Sequence, residues 1–458
     1  MSSATVKSSS PQDPADLVIE ARATDREAVE RLARRAREAG AAWARASAAE
    51  RAEALLGASI ALDDATEEVA GLIMREVGKP IFEARMEVAR GVRILRFHAE
   101  AALLPDGETH PRIPPAPEST LTMSRRRPRG VAGLITPWNF PLAIPLWKAA
   151  PALAYGNTVL LKPASPALAT AARLAELLEP HLPDDIFQVL PGGAETAGAI
   201  IDASDVVSFT GSTEVGQSVA KAATARGIPA QCEMGGLNSS IVLGDCDLDS
   251  VAKAIAGSAM GYAGQKCTAT RRVIAIGDSG ELVDALRAAI ESLPVGDPAE
   301  ETTVVGPVID DRTRNEVIDS AGAGGRVLTG GDAPDGGGWF VRPTLVAGVP
   351  ADGKLRNEEV FGPIATVIEA KSIEQAAQID AEVPYGLVTS IFTNDLAQAL
   401  SLTERVRSGL IRVNQPTTGV DFHAPFGGTG TSSFGPREQG LAAREHYTTT
   451  HTVTIAPG

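Results

Sequence analysis

At 458 residues the chain exceeds what one hydrophobic core serves, so two or more domains are expected, each large enough to enclose a site. A hydrophobic fraction of 44% with 45 Gly and 31 Pro describes a folded, turn-rich globular protein rather than a disordered one. The formal charge of -15 disfavours nucleic acid and anionic membrane as partners, because both call for clustered Lys and Arg.

The opening stretch "MSSATVKSSSPQDPADL" lacks the apolar core of a signal peptide and reads as a short flexible lead-in. Residues 25–62 and 64–98 are rich in Ala, Arg and Glu at helical spacing, so helices come first. Next, "HPRIPPAPEST" is a Pro-rich connector, and "STLTMSRRRPRG" alternates as an exposed strand that leads into the apolar "VAGLIT". Arg125, Arg126, Arg127 and Arg129 depart from the acidic balance, and beside Pro128 they read as a solvated strand end. The longest apolar stretch, "VAGLITPWNFPLAIPLW", carries Pro137, Pro141 and Pro145, which break a helix long before it spans a bilayer. No membrane segment is expected.

Beyond that point β-branched runs alternate with helical stretches: "NTVLLKP", "ALATAARLAELLEP", "DIFQVLP", "DVVSFTG" and "STEVGQSVAKAAT". Strands separated by helices of this length describe right-handed βαβ crossovers and a parallel sheet. The alternation restarts near "SSIVLGD", with helix 248–261, strand "RRVIAIG", helix 280–292, and later "IATVIEA" and "TSIFTN". Two α/β domains joined near Gly235 and Gly236 are therefore expected, with no internal repeat. The tail "EHYTTTHTVTI" reads as a strand with two uses open: an edge strand in its own chain, or completion of a neighbour's sheet.

Three cysteines, at 232, 246 and 267, are too few and too scattered for a disulfide framework, and no Cys/His cluster suggests zinc, so no metal is expected. A reducing cytoplasm fits best. In "DVVSFTGSTEVGQSVAKAA" a strand ends at Phe209, turns through Gly211 and opens a helix at Ser212, whose free N–H groups favour a phosphate. The spacing is G-x-x-x-x-G rather than the dinucleotide fingerprint, and such a Gly also serves as a plain turn. "PWNFP" holds Trp138 and Asn139 between two prolines, and a rigidly held amide is a good oxyanion donor when a nucleophile is near. Cys267 of "GYAGQKCTATRR" is the candidate nucleophile, although lone cysteines are usually inert and activation needs a lowered pKa or an adjacent base. "CEMGG" adds the carboxylate Glu233 at the expected domain junction, where clefts form, or else a surface turn.

In order, "TPWNFP", "LLKPAS", "FTGSTEVG", "EMGG", "GQKC", "EEVFGP" and "APFGG" resemble the motif series of the NAD(P)-dependent aldehyde dehydrogenase superfamily, from about residue 20 to the C-terminus. The whole looks most like the branch containing the semialdehyde dehydrogenases. The resemblance implies two Rossmann-like parallel-sheet α/β domains with a small β oligomerisation extension. Residues 1–109 and 130–236 would bind the cofactor, 237–438 would form the catalytic domain, and 110–129 with 439–458 would supply oligomerisation strands in a homodimer or homotetramer.

By the same resemblance Cys267 attacks the aldehyde to give a thiohemiacetal, and Asn139 with the Cys267 N–H holds the oxyanion. Loss of one such donor typically costs about 3 to 4 kcal/mol of barrier. Hydride then passes to the nicotinamide, and Glu233 draws a proton from the water that hydrolyses the thioester to the acid. Gly211 and Ser212 would meet the pyrophosphate beside Trp138, Lys162 the adenosine ribose, and Glu359 with Phe361 the nicotinamide riboside. Thr136, Ser165, Phe209 and Met234 complete the implied cofactor set, and Lys148 matches a family lysine near the active site. Leu146 and Trp147 on one wall, with Phe422 and His423 of "GVDFHAP" on another, would shape the aldehyde site.

Several departures matter. Ser165 stands where many NAD-preferring members carry Glu, so a 2′-phosphate meets no like charge and can pair with Lys162; NADP is the favoured cofactor and NAD the other. Leu237 replaces a common Lys, Gly430 replaces the Lys of "GGxK", and a leading hairpin is expected to be missing. The alternatives are the CoA-acylating variant, against which Glu233 argues, and a catalytically silent scaffold, against which Cys267, Glu233 and Asn139 together argue.

Overall fold

The computed structural model describes residues 5–114 and 119–456; residues 1–4, 115–118 of the Pro-rich connector, and 457–458 lie outside the described residues. The flexible lead-in and missing hairpin expected from the sequence are corrected here. Strands Thr5–Ser9 and Leu17–Arg22 pair antiparallel from the start of the described chain. Only Val6 and Ser8 of the first strand turn inward, so two side chains anchor it and no apolar run betrays it.

Helices Arg26–Trp43, Ala48–Asp64, Thr66–Val77 and Ile81–Ala102 follow. The first two begin on side-chain caps: Asp25 accepts from the Ala28 N–H, and Ser47 and Glu50 form a reciprocal capping box. These helices pack against a six-stranded sheet whose order is Ser433–Phe434, Ala230–Glu233, Val206–Thr210, Val131–Thr136, Thr158–Pro163, Phe187–Val189. All its strands are parallel except Ser433–Phe434. Val131–Thr136 and Thr158–Pro163 are buried along their whole length, which is why they read as unbroken apolar runs. The chain runs outward from Val131–Thr136 in one direction, then returns to its other side at Val206–Thr210. The carboxyl ends at this reversal leave the crevice in which such sheets bind ligands.

A seven-stranded sheet follows, in the order Arg326–Thr329, Thr344–Ala347, Ile364–Ala370, Arg272–Ile276, Ser239–Val242, Val388–Phe392, Leu410–Val413. Only Arg326–Thr329 runs against its neighbour. The third sheet, Thr448–Ile455, Leu121–Pro128 and Gly107–His110, is antiparallel. The tail is thus an edge strand paired with its own chain, from Thr448 opposite Pro128 to Ile455 opposite Leu121. The arginine run lies on the central strand of this sheet, with Arg125 and Arg127 exposed as expected and Arg126 paired to Glu445. Among the described residues no helix is long and apolar enough to cross a membrane.

Candidate active site

Cys267 lies between the 3-10 turn Gly261–Gly264 and the strand Arg272–Ile276. Tyr262, Ala263 and Gly264 occupy the left-handed region in succession, with φ of 54°, 51° and 65°. For a residue with a Cβ that conformation costs roughly 1–2 kcal/mol, so the turn must be held from outside. It is. The Tyr262 hydroxyl donates to the Val77 carbonyl at 3.2 Å and its N–H to the Val304 carbonyl at 3.1 Å. The Gln265 side chain accepts from the Ile309 N–H at 2.8 Å and donates to the Pro307 carbonyl at 3.2 Å.

This fixes the Gln265 backbone carbonyl, which accepts from Asn139 Nδ2 at 2.9 Å. Lys266 turns away to pair with Glu83 at 2.8 Å. On the far side Asn238 Nδ2 donates to the carbonyls of Cys267 at 2.8 Å and Ala269 at 2.9 Å. The Gly-Gln-Lys run is thus a set of anchors, and the thiol that follows them is left half-buried against Leu387, Val388 and Phe426. Burial, then the charges of Glu359, Glu233 and Glu438, push the Cys267 thiol up to about 12.

Glu233 ends the strand Ala230–Glu233 and is buried. Its Oε1 accepts from Gln231 Nε2 at 3.1 Å and its Oε2 from the Ser433 hydroxyl at 2.5 Å. Burial and the nearby Glu438 charge raise its pKa well above the ordinary carboxylate value, while Ser433, Lys148 and Arg437 oppose them. A Cβ on Gly427 would stand 2.8 Å from Glu233 Oε1, so a glycine there leaves the carboxylate its space.

Lys148 is not a helix-surface lysine. Its ammonium is fully buried, 2.7 Å from Glu438 Oε2, and donates to the Ser208 hydroxyl at 2.8 Å and to Gln231 Oε1 at 3.3 Å. Gln231 therefore bridges this ion pair and Glu233. Glu438 went unrecognised in the sequence, because the contact spans 290 positions and has no local signature. Arg271 was also missed. Its guanidinium donates to the carbonyls of Gly362 at 2.6 Å and Gly264 at 2.5 Å and lies 5.7 Å from the centre of the Phe361 ring, tying the cysteine turn to the "EEVFGP" loop.

The other candidates divide by placement. Phe361 also meets Trp138 edge-on, with ring centres 5.9 Å apart. Phe209 and Met234 are core residues beneath the phosphate-type turn, where a Cβ on Gly211 would come within 2.5 Å of Phe209, and one on Gly216 within 2.5 Å of Met234 Sδ. Ser212 caps helix Thr213–Ala225 without a side-chain hydrogen bond. Among the described residues the buried Oγ1 atoms of Thr136 and Thr210, at the carboxyl ends of the two strands flanking the reversal, have no hydrogen-bond partner, and neither does Glu359 Oε1. Such orphaned oxygens beside a helix N-terminus suit the hydroxyls and phosphates of a dinucleotide. Burial pushes the Glu359 carboxyl up to about 7, with Arg271 opposing. Gly235 is needed there, because its Cβ would fall 1.8 Å from Glu359 Oε2.

Lys162 donates to the carbonyls of Pro163 at 2.9 Å and Gly192 at 3.0 Å, and burial pulls it down to about 8. Ser165 is half-buried two residues past the end of its strand. Leu146 is fully buried in the core, whereas Trp147 meets Phe426 at 5.9 Å, Phe422 meets Phe97 edge-on at 5.9 Å, and His423 is exposed. The departures have local causes. Leu237 is buried, with its carbonyl accepting from Arg272, and Gly430 adopts φ 58° with the Pro384 carbonyl oxygen 2.2 Å from where a Cβ would sit, so no side chain fits at 430 without a shift of the backbone.

The sequence profile of the aldehyde dehydrogenase family matches residues 1–453. The chain is 37% identical over 465 aligned positions to the α-ketoglutaric semialdehyde dehydrogenase of Bacillus subtilis, covering 99% of this chain and 95% of that one. It is 38% identical to the α-ketoglutarate semialdehyde dehydrogenase of Haloferax volcanii, covering 90% and 87%. The crystal structure of an NAD-dependent aldehyde dehydrogenase from Sinorhizobium meliloti superimposes with a TM-score of 0.94 at 30% identity, covering 99% and 92%. Fold and site together define an NAD(P)-dependent oxidoreductase. The chain belongs to the aldehyde dehydrogenase family, and its activity is the oxidation of an aldehyde to the carboxylic acid.

Proposed function

We propose that Cys267 is the nucleophile of this oxidation, Asn139 its oxyanion donor and Glu233 the base for hydrolysis. The observation that carries the reading is the anchored turn: the Asn139 amide is bound to the carbonyl two residues ahead of Cys267, and the Glu233 charge reaches the thiol. Cys267 Sγ adds to the aldehyde carbon as its proton passes to solvent water and the carbonyl electron pair moves onto oxygen. One Asn139 N–H is engaged by Gln265, and the other, with the Cys267 N–H, receives the oxyanion. When bound, the nicotinamide supplies the hydride acceptor. Glu233 then takes a proton from water, whose oxygen adds to the thioester carbonyl; Cys267 departs as the thiolate and the acid is released. The semialdehydes for which the relatives are named are the substrate class we infer.

Thr136, Thr210, Ser212 and Glu359 would hold the dinucleotide, with Trp138 and Phe361 beside them. NADP is the preferred form on this reading. Lys162 has two carbonyl partners and, among the described residues, no carboxylate partner, and Ser165 puts no negative charge beside it. A panel of aldehydes assayed with both cofactors tests activity and preference together. Below pH 8 Lys162 is charged and attracts a 2′-phosphate; as pH rises through about 8 it is neutralised. The KM for NADP is therefore expected to rise across that range while the KM for NAD stays level. A large preference for NAD, or parallel pH profiles, would refute the NADP assignment.

The division into 1–109 with 130–236, 237–438, and 110–129 with 439–458 is retained as part of this reading. Among the described residues no strand lies beside the outer edge of Thr448–Ile455, which favours pairing in a homodimer or homotetramer. Light scattering should return a multiple of the chain mass, and a monomer at micromolar concentration would exclude this. Three free thiols fit the reducing cytoplasm as its compartment.

A further inference from the structure

Arg90 projects from helix Ile81–Ala102, half-buried, and takes no part in the chemistry above. Its Nη2 donates to the carbonyl of Val420, in the loop that carries Phe422 and His423. Its Nε is buried and has no hydrogen-bond partner among the described residues. Glu87, one turn earlier on the same helix, is committed elsewhere: Oε2 pairs with Lys79, and Oε1 accepts from the N–H groups of Leu142 at 3.0 Å and Ala143 at 2.9 Å. Asp421 lies on the exposed side of the loop. No ion pair to Arg90 forms among the described residues.

Val420 packs against the same apolar cluster as Cys267, which brings the guanidinium to the nucleophile's side of the molecule; burial disfavours its charged form, and the charges of Glu87, Asp421 and Cys267 oppose this. A cation kept half-buried with no carboxylate in contact with it among the described residues, and with a free N–H on the nucleophile's side, is a place for an anion that arrives with the substrate. The loop it holds is also fixed from the same helix by the edge-on contact of Phe97 with Phe422 at 5.9 Å, so the guanidinium and the loop form one wall.

We propose that Arg90 determines specificity by binding a carboxylate carried by the aldehyde substrate at the end remote from its reacting carbonyl. The enzyme then selects acidic aldehydes over neutral ones of the same length. This inference rests on the dehydrogenase reading of the site.

The test compares kcat/KM for an aldehyde ending in a carboxylate and a neutral aldehyde of equal length. Wild-type enzyme is expected to favour the acidic member. Arg90→Leu should lower the acidic-to-neutral ratio by roughly 10- to 100-fold, the loss of one charge-assisted hydrogen bond, mainly through KM. Arg90→Lys should restore part of the ratio, and it decides the matter if the leucine variant does not fold. A wild-type ratio near one, or an equal loss on both aldehydes in each variant, overturns the inference while leaving the dehydrogenase intact. Failure of the wild type to reduce NAD(P) with any aldehyde overturns the reading beneath it, and this inference with it.

Discussion

Cys267→Ala is expected to lower aldehyde oxidation on the order of 10⁴-fold or more, the scale on which loss of a covalent nucleophile is felt. The neighbouring sulfurs offer no substitute. Cys232 is buried within the core beneath the first sheet, and Cys246 donates to the carbonyl of Leu243 in a turn of the second unit. A thiol held up to about 12 is ionised in roughly one molecule in 10⁴ to 10⁵ at neutral pH, so the resting sulfur is protonated. Attack must therefore be coupled to proton removal. This has a second consequence: alkylation of Cys267 by iodoacetamide should accelerate steadily as pH rises from 7 to 10, with no plateau near the free-thiol value. Glu359→Gln removes a negative charge that opposes ionisation, so it should shift that curve to lower pH. The measurements are turnover with a responsive aldehyde and the rate of adduct formation by mass spectrometry. Undiminished turnover in the alanine variant would eliminate the nucleophile, and a plateau near pH 8 would eliminate the electrostatic account.

The parts of the molecule that were legible in the sequence are those whose physics is local. Val131–Thr136 and Thr158–Pro163 are buried on both faces, so their apolar runs and the helices between them announced a parallel sheet. Asn139 was legible because prolines on either side mark a rigid loop. The first strand was not, because Val6 and Ser8 alone enter the interior and leave no run to detect. The ion pair of Lys148 and Glu438 was invisible for a different reason. A lysine in an Ala-rich helix and a glutamate in a Gly- and Pro-rich turn each resemble surface residues until the fold brings them to 2.7 Å. The adjacent arginines of "TATRR" give no sign of burial in the sequence, where charge ordinarily marks a solvated position. Instead Arg271 clamps two loops, and Arg272 is buried, donating to the carbonyls of Leu237 at 3.2 Å and Ile379 at 3.0 Å. Charged residues buried against backbone carbonyls carry no hydrophobic signal, so periodicity passes over them.

Replacing Glu233 by Gln is expected to separate the two halves of the reaction. The isostere keeps the volume beside Gly427 and can still hydrogen-bond to Gln231 and Ser433, so the cleft survives, but it cannot accept a proton from water. Acylation of Cys267 should then outpace release, giving a rapid burst near one NAD(P)H per active site and a steady rate lowered roughly 10²- to 10⁴-fold. The wild-type pH profile follows from the same group. Because burial and Glu438 raise the Glu233 pKa, the base is protonated over a wider acidic range, and hydrolysis falls as pH drops through that raised value. Glu438→Gln removes the like charge and leaves the Lys148 cation unopposed, and both changes favour ionised Glu233. The acid limb of kcat should consequently move to lower pH in that variant, despite the stability cost of about 3–5 kcal/mol expected when one partner of a buried pair is removed. Stopped-flow absorbance with acid quantification distinguishes the outcomes. A Glu233→Gln enzyme that turns over steadily without a burst, or a Glu438→Gln limb that moves toward higher pH, would mean that water is activated by some other group.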